Sequence, residues 1–137
     1  MPRILVIDDE QLLRSTVVTI LTRAGFSVEE ASDGRAGIAM FHKNPPDIVL
    51  TDIFMPNRDG IEIIKELKHS SPRTKIIAMT GGGHLRMMEI AAAAQVLGAD
   101  HVLDKPFDSE SLLAAINAVR GGLPCQRINT VLDAPVL

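Results

Sequence analysis

Side chains that can handle a phosphoryl group and a divalent cation stand at the ends of short apolar runs in this sequence. Asp8 and Asp9 follow the first run and Asp52 ends a later one, while Thr80 and Lys105 follow two more. Two carboxylates about 5 Å apart repel by about 3 kcal/mol at an effective dielectric constant near 20, so three held together favour a bound proton or cation. Oxygen ligands without His or Cys indicate a hard cation such as Mg²⁺.

A site of this composition predicts phosphoryl transfer, in which catalysis is mostly positioning and charge neutralisation. Lys105 supplies a positive charge that can grip a phosphoryl oxygen, and Thr80 supplies a hydroxyl beside small glycines. An aspartyl carboxylate can form an acyl phosphate, which makes Asp52 the expected nucleophile. We expect Asp9 and Asp52 to bind Mg²⁺ directly and Asp8 to act through water.

Apolar runs alternate with helical patterns along the chain, as in a parallel sheet covered on both faces. Strands are predicted at 4–7, 48–50, 76–79 and 102–103, with a weaker edge strand at 26–31. Helices are predicted at 10–24, 33–42, 60–69, 84–97 and 108–120. Five βα units predict a doubly wound α/β sandwich, and ligands bind at the carboxyl ends of the strands in such sheets.

The composition argues against several classes of function. The 137 residues carry a net charge of −3, with no Trp or Tyr, which disfavours direct nucleic-acid binding. No apolar run approaches the roughly 20 residues of a membrane span, and the N-terminus lacks a signal-peptide core. The single cysteine, Cys125, fits a reducing compartment, so we expect a cytoplasmic protein. We expect one domain over 1–120 and a tail or linker stub over 121–137.

Four motifs in order, ILVIDDE, DIVLTDIFMPNRDG, IIAMTG and GADHVLDKPF, resemble the receiver domains of two-component response regulators. The resemblance runs from residue 3 to about residue 120. It implies a flavodoxin-like three-layer sandwich, with a five-stranded parallel sheet in the order 2-1-3-4-5. It also implies a phosphoacceptor switch that catalyses its own phosphorylation and dephosphorylation, rather than a conventional enzyme.

The resemblance implies a role for each residue that matches a motif. Asp52 would be phosphorylated by a histidine kinase, a phosphotransfer protein or a small phosphodonor. Mg²⁺ would be held by a set of oxygen ligands: Asp8, Asp9, Asp52 and the backbone carbonyl of Phe54. Thr80 would hydrogen-bond the phosphoryl oxygen and Lys105 would form an ion pair with it, with the peptide before Pro106 in the cis form. A downstream output protein or domain, which the sequence does not identify, would read the switch.

The sequence departs from the receiver pattern in three places. Val102 stands where receivers often have Tyr or Phe. We therefore expect the signal to pass through Thr80 and the glycine loop 81–83, which would move helix 84–97. Phe54 is expected to shield the acyl phosphate from water and slow its hydrolysis. Over residues 109–120 of the last helix, only Glu110 and Arg120 are charged, which predicts a monomer or a weak dimer.

Some polar residues are expected to have no catalytic or metal-binding role. Asp100 and Asp104 flank the last strand and are expected to be exposed rather than catalytic. The four histidines lack metal-binding spacing and are expected on the solvent side: His42, His69, His84 and His101.

Two other functions compete with the receiver interpretation. A Mg²⁺-dependent phosphohydrolase of the haloacid dehalogenase type would place its nucleophile after the first strand, with a second Asp two residues later. Asp52 instead follows the third strand and precedes Ile53-Phe54, which breaks that pattern. A degenerate receiver that binds partners without phosphorylation is disfavoured by the intact set of Asp9, Asp52, Thr80 and Lys105.

Overall fold

Five strands and four helices make up the described parts of the chain. The computed structural model describes residues 2–53, 60–80 and 98–120. The strands are β1 (Arg3–Ile7), β2 (Ser27–Ala31), β3 (Ile48–Asp52), β4 (Lys75–Thr80) and β5 (His101–Asp104). The described helices are α1 (Gln11–Arg23), α2 (Gly34–Lys43), α3 (Gly60–Ser70) and α4 (Ser109–Arg120).

The strands form one parallel sheet in the order β2-β1-β3-β4-β5, which confirms the predicted order. β1 pairs with β2 on one side and with β3 on the other. The order in which strands are added to the sheet therefore reverses at β1. The carboxyl ends of β1 and β3 lie side by side at this reversal, and ligands bind at such a position in doubly wound sheets.

Side chains alternate between the two faces of the sheet and build a separate core on each face. Leu5 and Ile7 of β1 belong to one cluster with residues of α2 and α3. Ile4 and Val6 belong to the other cluster, with residues of α1 and α4. β3 is buried along its whole length, as its continuous apolar run predicts. The helix–sheet–helix layering confirms the predicted three-layer sandwich.

The predicted elements that fall within the described residues are present, and their bounds differ from the sequence prediction by at most two residues. Gly25 follows the end of α1 with a φ of 99°, a left-handed conformation that favours glycine. Asp33 caps α2, since its carboxylate accepts a hydrogen bond from the Ala36 backbone N–H at 2.8 Å. Strands β3, β4 and β5 extend into polar residues that the apolar runs do not include, because parallel pairing continues through them.

The expectation that the histidines face solvent was wrong for His101, which is only 4% exposed. His101 begins β5 beside Ile77 of β4, so sheet pairing places it inside the molecule. Burial disfavours the charged imidazolium and lowers the pKa of His101 below its ordinary value. His42 and His69 are exposed as expected.

Several predictions fall outside the described residues: Phe54, the loop 81–83, helix 84–97 with His84, and the tail 121–137 with Cys125. Across the described parts of the chain, the helices are too short or too polar to cross a bilayer.

Candidate functional site

The three predicted carboxylates lie together at the carboxyl edge of the sheet. Asp8 and Asp9 follow β1 and Asp52 ends β3, and one oxygen from each lies within 4.8 Å of the other two. Asp8 and Asp52 are buried, whereas Asp9 is exposed. The cluster therefore combines two buried carboxylates with one that is exposed to solvent.

Lys105 brings a positive charge to this cluster from the end of β5. Its Nζ lies 3.1 Å from Asp8 Oδ2 and 3.2 Å from Asp52 Oδ2. Glu10 Oε1 is more distant, at 3.9 Å. Burial alone would lower the pKa of the Lys105 ammonium, but the charges of Asp52 and Asp8 and the hydrogen bonds to both carboxylates raise that pKa above its ordinary value. Lys105 is therefore a fixed cation between two buried carboxylates.

A main-chain hydrogen bond joins Lys105 to β4. The Lys105 N–H donates to the Thr80 carbonyl at 2.8 Å, which continues the pairing of β4 and β5. The peptide between Lys105 and Pro106 is cis, as the resemblance implies.

Hydrogen bonds hold Asp8 firmly in place. Its N–H donates to the Ala31 carbonyl at 3.1 Å, and its Oδ1 accepts the Glu10 N–H at 2.8 Å. Its carbonyl accepts a hydrogen bond from Arg14 Nη1 at 2.8 Å, and Arg14 also pairs with Glu30 at 2.9 Å. The Asp8–Asp9 pair does not begin a helix, because α1 begins at Gln11. Sequence reasoning missed Arg14, whose role depends on a contact with a main-chain carbonyl.

Asp52 is positioned by the pairing of β3 with β4. It lies opposite Met79, and the next residue, Ile53, donates its N–H to the Met79 carbonyl at 3.0 Å. The Asp52 carbonyl accepts a hydrogen bond from the Thr51 hydroxyl at 3.2 Å. Pairing with β4 therefore fixes the main chain at Asp52.

Thr80 ends β4 at the same edge and is fully buried. Its hydroxyl donates a hydrogen bond to Asp104 Oδ1 at 2.8 Å. Asp104 is exposed, as expected, but sequence reasoning gave it no contact with the site. The signal that could have found it is the register, in which Thr80 and Asp104 are direct partners on β4 and β5.

Val102, the residue that replaces the usual aromatic ring, is half-buried. It lies opposite Ala78 of β4 and packs against the core cluster on the face covered by α2 and α3. It is therefore a packing residue in this structure.

The donor set fits a hard divalent cation. The clustered ligands are all carboxylate oxygens, which Mg²⁺ prefers over nitrogen or sulfur. Both oxygens of Asp8 already accept hydrogen bonds, from the Glu10 N–H and from Lys105, whereas Asp9 faces solvent. These contacts favour Asp9 over Asp8 as a direct ligand. The predicted carbonyl ligand, Phe54, lies outside the described residues.

Comparison with known proteins finds a matching family and similar structures. Residues 4–117 match the family model of the response regulator receiver domain. The chain is 36% identical over 118 residues to the chemotaxis protein CheY of Thermotoga maritima, covering 85% of this chain and 96% of that protein. It is similar in structure, with a TM-score of 0.79 and 34% identity, to a response regulator receiver domain protein from Clostridium thermocellum; the match covers 85% of this chain and 92% of that one.

Longer proteins also contain a similar segment. The response regulator MprA of Mycolicibacterium vanbaalenii is 35% identical over 117 residues, which cover 85% of this chain and 49% of MprA. This kind of domain therefore occurs both nearly alone and as about half of a larger protein.

Proposed function

Since this chain belongs to the family of response regulator receiver domains, we propose that it accepts a phosphoryl group on Asp52 in a Mg²⁺-dependent reaction. The donor is the phosphohistidine of a histidine kinase or phosphotransfer protein, or a small phosphodonor. The observation that carries the proposal is the position of Lys105, within 3.2 Å of both Asp8 and Asp52 and beside the exposed Asp9.

The transfer forms one bond and breaks another. An Asp52 carboxylate oxygen attacks phosphorus, an O–P bond forms, and the N–P bond of the phosphohistidine breaks. The electron pair of that bond returns to the imidazole nitrogen, which takes a proton from solvent. Water later attacks the phosphorus of the aspartyl phosphate, which restores the carboxylate and releases inorganic phosphate.

Each residue of the site has a defined task in this reaction. Lys105 neutralises charge that accumulates on the phosphoryl oxygens, and the Thr80 hydroxyl donates a hydrogen bond to one of them. Asp9 and Asp52 would hold Mg²⁺ directly and Asp8 would do so through water. When bound, Mg²⁺ supplies further neutralisation of the phosphoryl charge. The chain catalyses both steps on itself, so it acts as a switch rather than as a turnover enzyme.

Receiver domains are signalling switches that work with kinases and output domains. We place this exchange in the cytoplasm, with the phosphorylation state of Asp52 controlling the binding of an output protein or domain. We assign no direct contact with nucleic acid or membrane to residues 1–120. A monomer or weak dimer is sufficient for this role.

The test is incubation of the full chain with Mg²⁺ and acetyl phosphate, followed by intact mass spectrometry. The parent protein should gain the mass of one phosphoryl group, and it should gain nothing when a chelator removes Mg²⁺. Asp52→Asn should give no adduct. Asp47→Asn is the matched control, because Asp47 is an exposed carboxylate at the opposite end of β3, and this variant should be phosphorylated like the parent.

Two results would contradict the proposal. A parent protein that gains no phosphoryl group from acetyl phosphate, phosphoramidate or a phosphorylated kinase would favour a degenerate receiver. Repeated turnover of simple phosphate esters, lost in Asp52→Asn, would favour the phosphohydrolase instead.

A further inference from the structure

Asp104 makes a contact with the site that phosphoryl transfer does not require. It ends β5 directly opposite Thr80, and its Oδ1 accepts the Thr80 hydroxyl hydrogen bond at 2.8 Å. Thr80 is fully buried, whereas Asp104 is exposed. The hydrogen bond thus links a buried hydroxyl of the site to a charged side chain on the surface.

A threonine hydroxyl has a single proton to donate. In the unphosphorylated protein that proton is directed to the Asp104 carboxylate, a strong acceptor. In the proposed reaction the same proton has to reach a phosphoryl oxygen on Asp52. The two acceptors therefore compete for one donor, and the Asp104 bond has to break when Thr80 contacts the phosphoryl group.

We propose that Asp104 is a positioning residue that holds the Thr80 hydroxyl in the unphosphorylated protein and so opposes binding of a phosphoryl group at Asp52. The inference rests on the proposed function, because the competing acceptor is the phosphoryl group. In this proposal Asp104 acts through the Thr80 hydroxyl rather than on the reacting atoms.

Asp104 also connects the phosphorylation state of Asp52 to the protein surface. When Thr80 turns to the phosphoryl group, the Asp104 carboxylate loses its buried partner and is free to bind water or a cationic side chain of another molecule. Val102, two residues earlier on β5, is packed against the core and has no polar group that could bind water or a cation. The end of β5 therefore changes its hydrogen bonding when Asp52 is phosphorylated.

The experiment measures binding of beryllofluoride, a phosphoryl mimic, to the full chain by calorimetric titration with Mg²⁺ present. Asp104→Ala should bind beryllofluoride about 3- to 10-fold more tightly than the parent, the size expected for removing one competing hydrogen bond. Asp104→Asn keeps an oxygen acceptor and should give a smaller increase. Glu110→Ala removes an exposed carboxylate from the first turn of α4 and should bind like the parent.

Loss of a negative charge near the site could by itself favour an anion, and a second background separates that effect from the hydrogen bond. Thr80→Val removes the hydroxyl, so adding Asp104→Ala to Thr80→Val should change beryllofluoride affinity by less than twofold. An equal increase with and without the Thr80 hydroxyl would overturn the proposal, since it would show a charge effect only.

Failure of this inference and failure of the proposed function give different results. If the parent binds beryllofluoride and Asp104→Ala binds it no more tightly, the role of Asp104 is refuted and the function of Asp52 stands. If the parent does not bind beryllofluoride, the proposed function is refuted and the role of Asp104 falls with it. A double-mutant cycle of Thr80→Val and Asp104→Ala, measured by urea unfolding, tests the Thr80–Asp104 hydrogen bond of the unphosphorylated protein. Additive effects of the two substitutions on the free energy of unfolding would contradict this hydrogen bond.

Discussion

At the scale of single residues, the described part of the site combines three carboxylates with one cation, Lys105. Asp8 and Asp52 are buried carboxylates, and Lys105 is the cation within 3.2 Å of both. Asp9 adds a third negative charge nearby. Removing one partner of a buried ion pair leaves an uncompensated charge, which destabilises a protein more than the loss of an exposed pair does.

Lys105→Met should therefore lower the free energy of unfolding by about 1 to 3 kcal/mol in the presence of a chelator. This loss is smaller than that for breaking a fully buried ion pair, because the Lys105 side chain is 15% exposed. Mg²⁺ should recover part of this loss, because a divalent cation also compensates the carboxylates. The measurement is urea unfolding followed by circular dichroism, which suits a chain with no Trp or Tyr.

The matched control is Lys65→Met, which removes an exposed cation of α3. It should change the free energy of unfolding by less than about 0.5 kcal/mol, with or without Mg²⁺. Equal losses for the two lysine variants, or a Lys105→Met loss that Mg²⁺ leaves unchanged, would show that Lys105 does not balance the carboxylates.

At the scale of elements, close packing of α2 against β1 supports the strand that carries Asp8. Gly37 is buried in α2, and a Cβ placed on it would lie 2.5 Å from Cδ1 and 2.7 Å from Cγ1 of Ile7. Such distances are shorter than carbon atoms tolerate, so the helix depends on glycine at this position. Glycine within a helix normally weakens it by about 1 kcal/mol relative to alanine, and here the close approach outweighs that disadvantage.

Gly37→Ala should consequently destabilise the protein by about 1 to 3 kcal/mol, although helix propensity alone predicts a gain. In an Ile7→Val background the nearest atom is absent, so the same substitution should be less destabilising. Urea midpoints of the four proteins in this cycle provide the test. A stability gain from Gly37→Ala would mean that α2 does not approach β1 this closely.

The sequence predicted the elements well because their signals are local. Every strand except the edge strand β2 contains an apolar run, and helix ends are marked by residues such as Gly25 and Asp33. The Thr80–Asp104 hydrogen bond was not predicted, because it depends on the register between β4 and β5. The burial of His101 was missed because a strand of four residues has too little alternation to show which side chains face inward.

The candidate site was predicted in its composition but not in its hydrogen bonding. The convergence of Asp8, Asp52 and Lys105 follows from the rule that parallel strands end at one edge, together with the family resemblance. The contacts of Arg14 and Asp104 depend on side-chain reach and main-chain acceptors, which residue types and spacing do not reveal.

At the scale of the whole molecule, the shifted pKa values of Lys105 and His101 should lower stability at opposite ends of the pH range. The pKa of Lys105 is raised in the folded protein, so its contribution is complete below the ordinary value of 10.5 and is lost as pH rises through the raised pKa. The pKa of His101 is lowered by burial, so the unfolded chain binds more protons than the folded protein just below pH 6.5. The contributions of these two groups should therefore weaken above and below the range between their ordinary pKa values.

The acidic limit can be tested with His101→Gln, which removes the titrating imidazole from β5 but keeps a polar side chain. In the parent, the free energy of unfolding should decrease as pH falls from the ordinary pKa of 6.5 through the lowered pKa of His101, because protonation favours the unfolded chain. Urea unfolding at intervals between about pH 7.5 and 5 would measure this slope, which should be shallower in His101→Gln. His69→Gln, at an exposed position on α3, should keep the slope of the parent. If instead His101→Gln retained the full slope while His69→Gln lost it, the buried imidazole would not be the group that limits stability at acid pH.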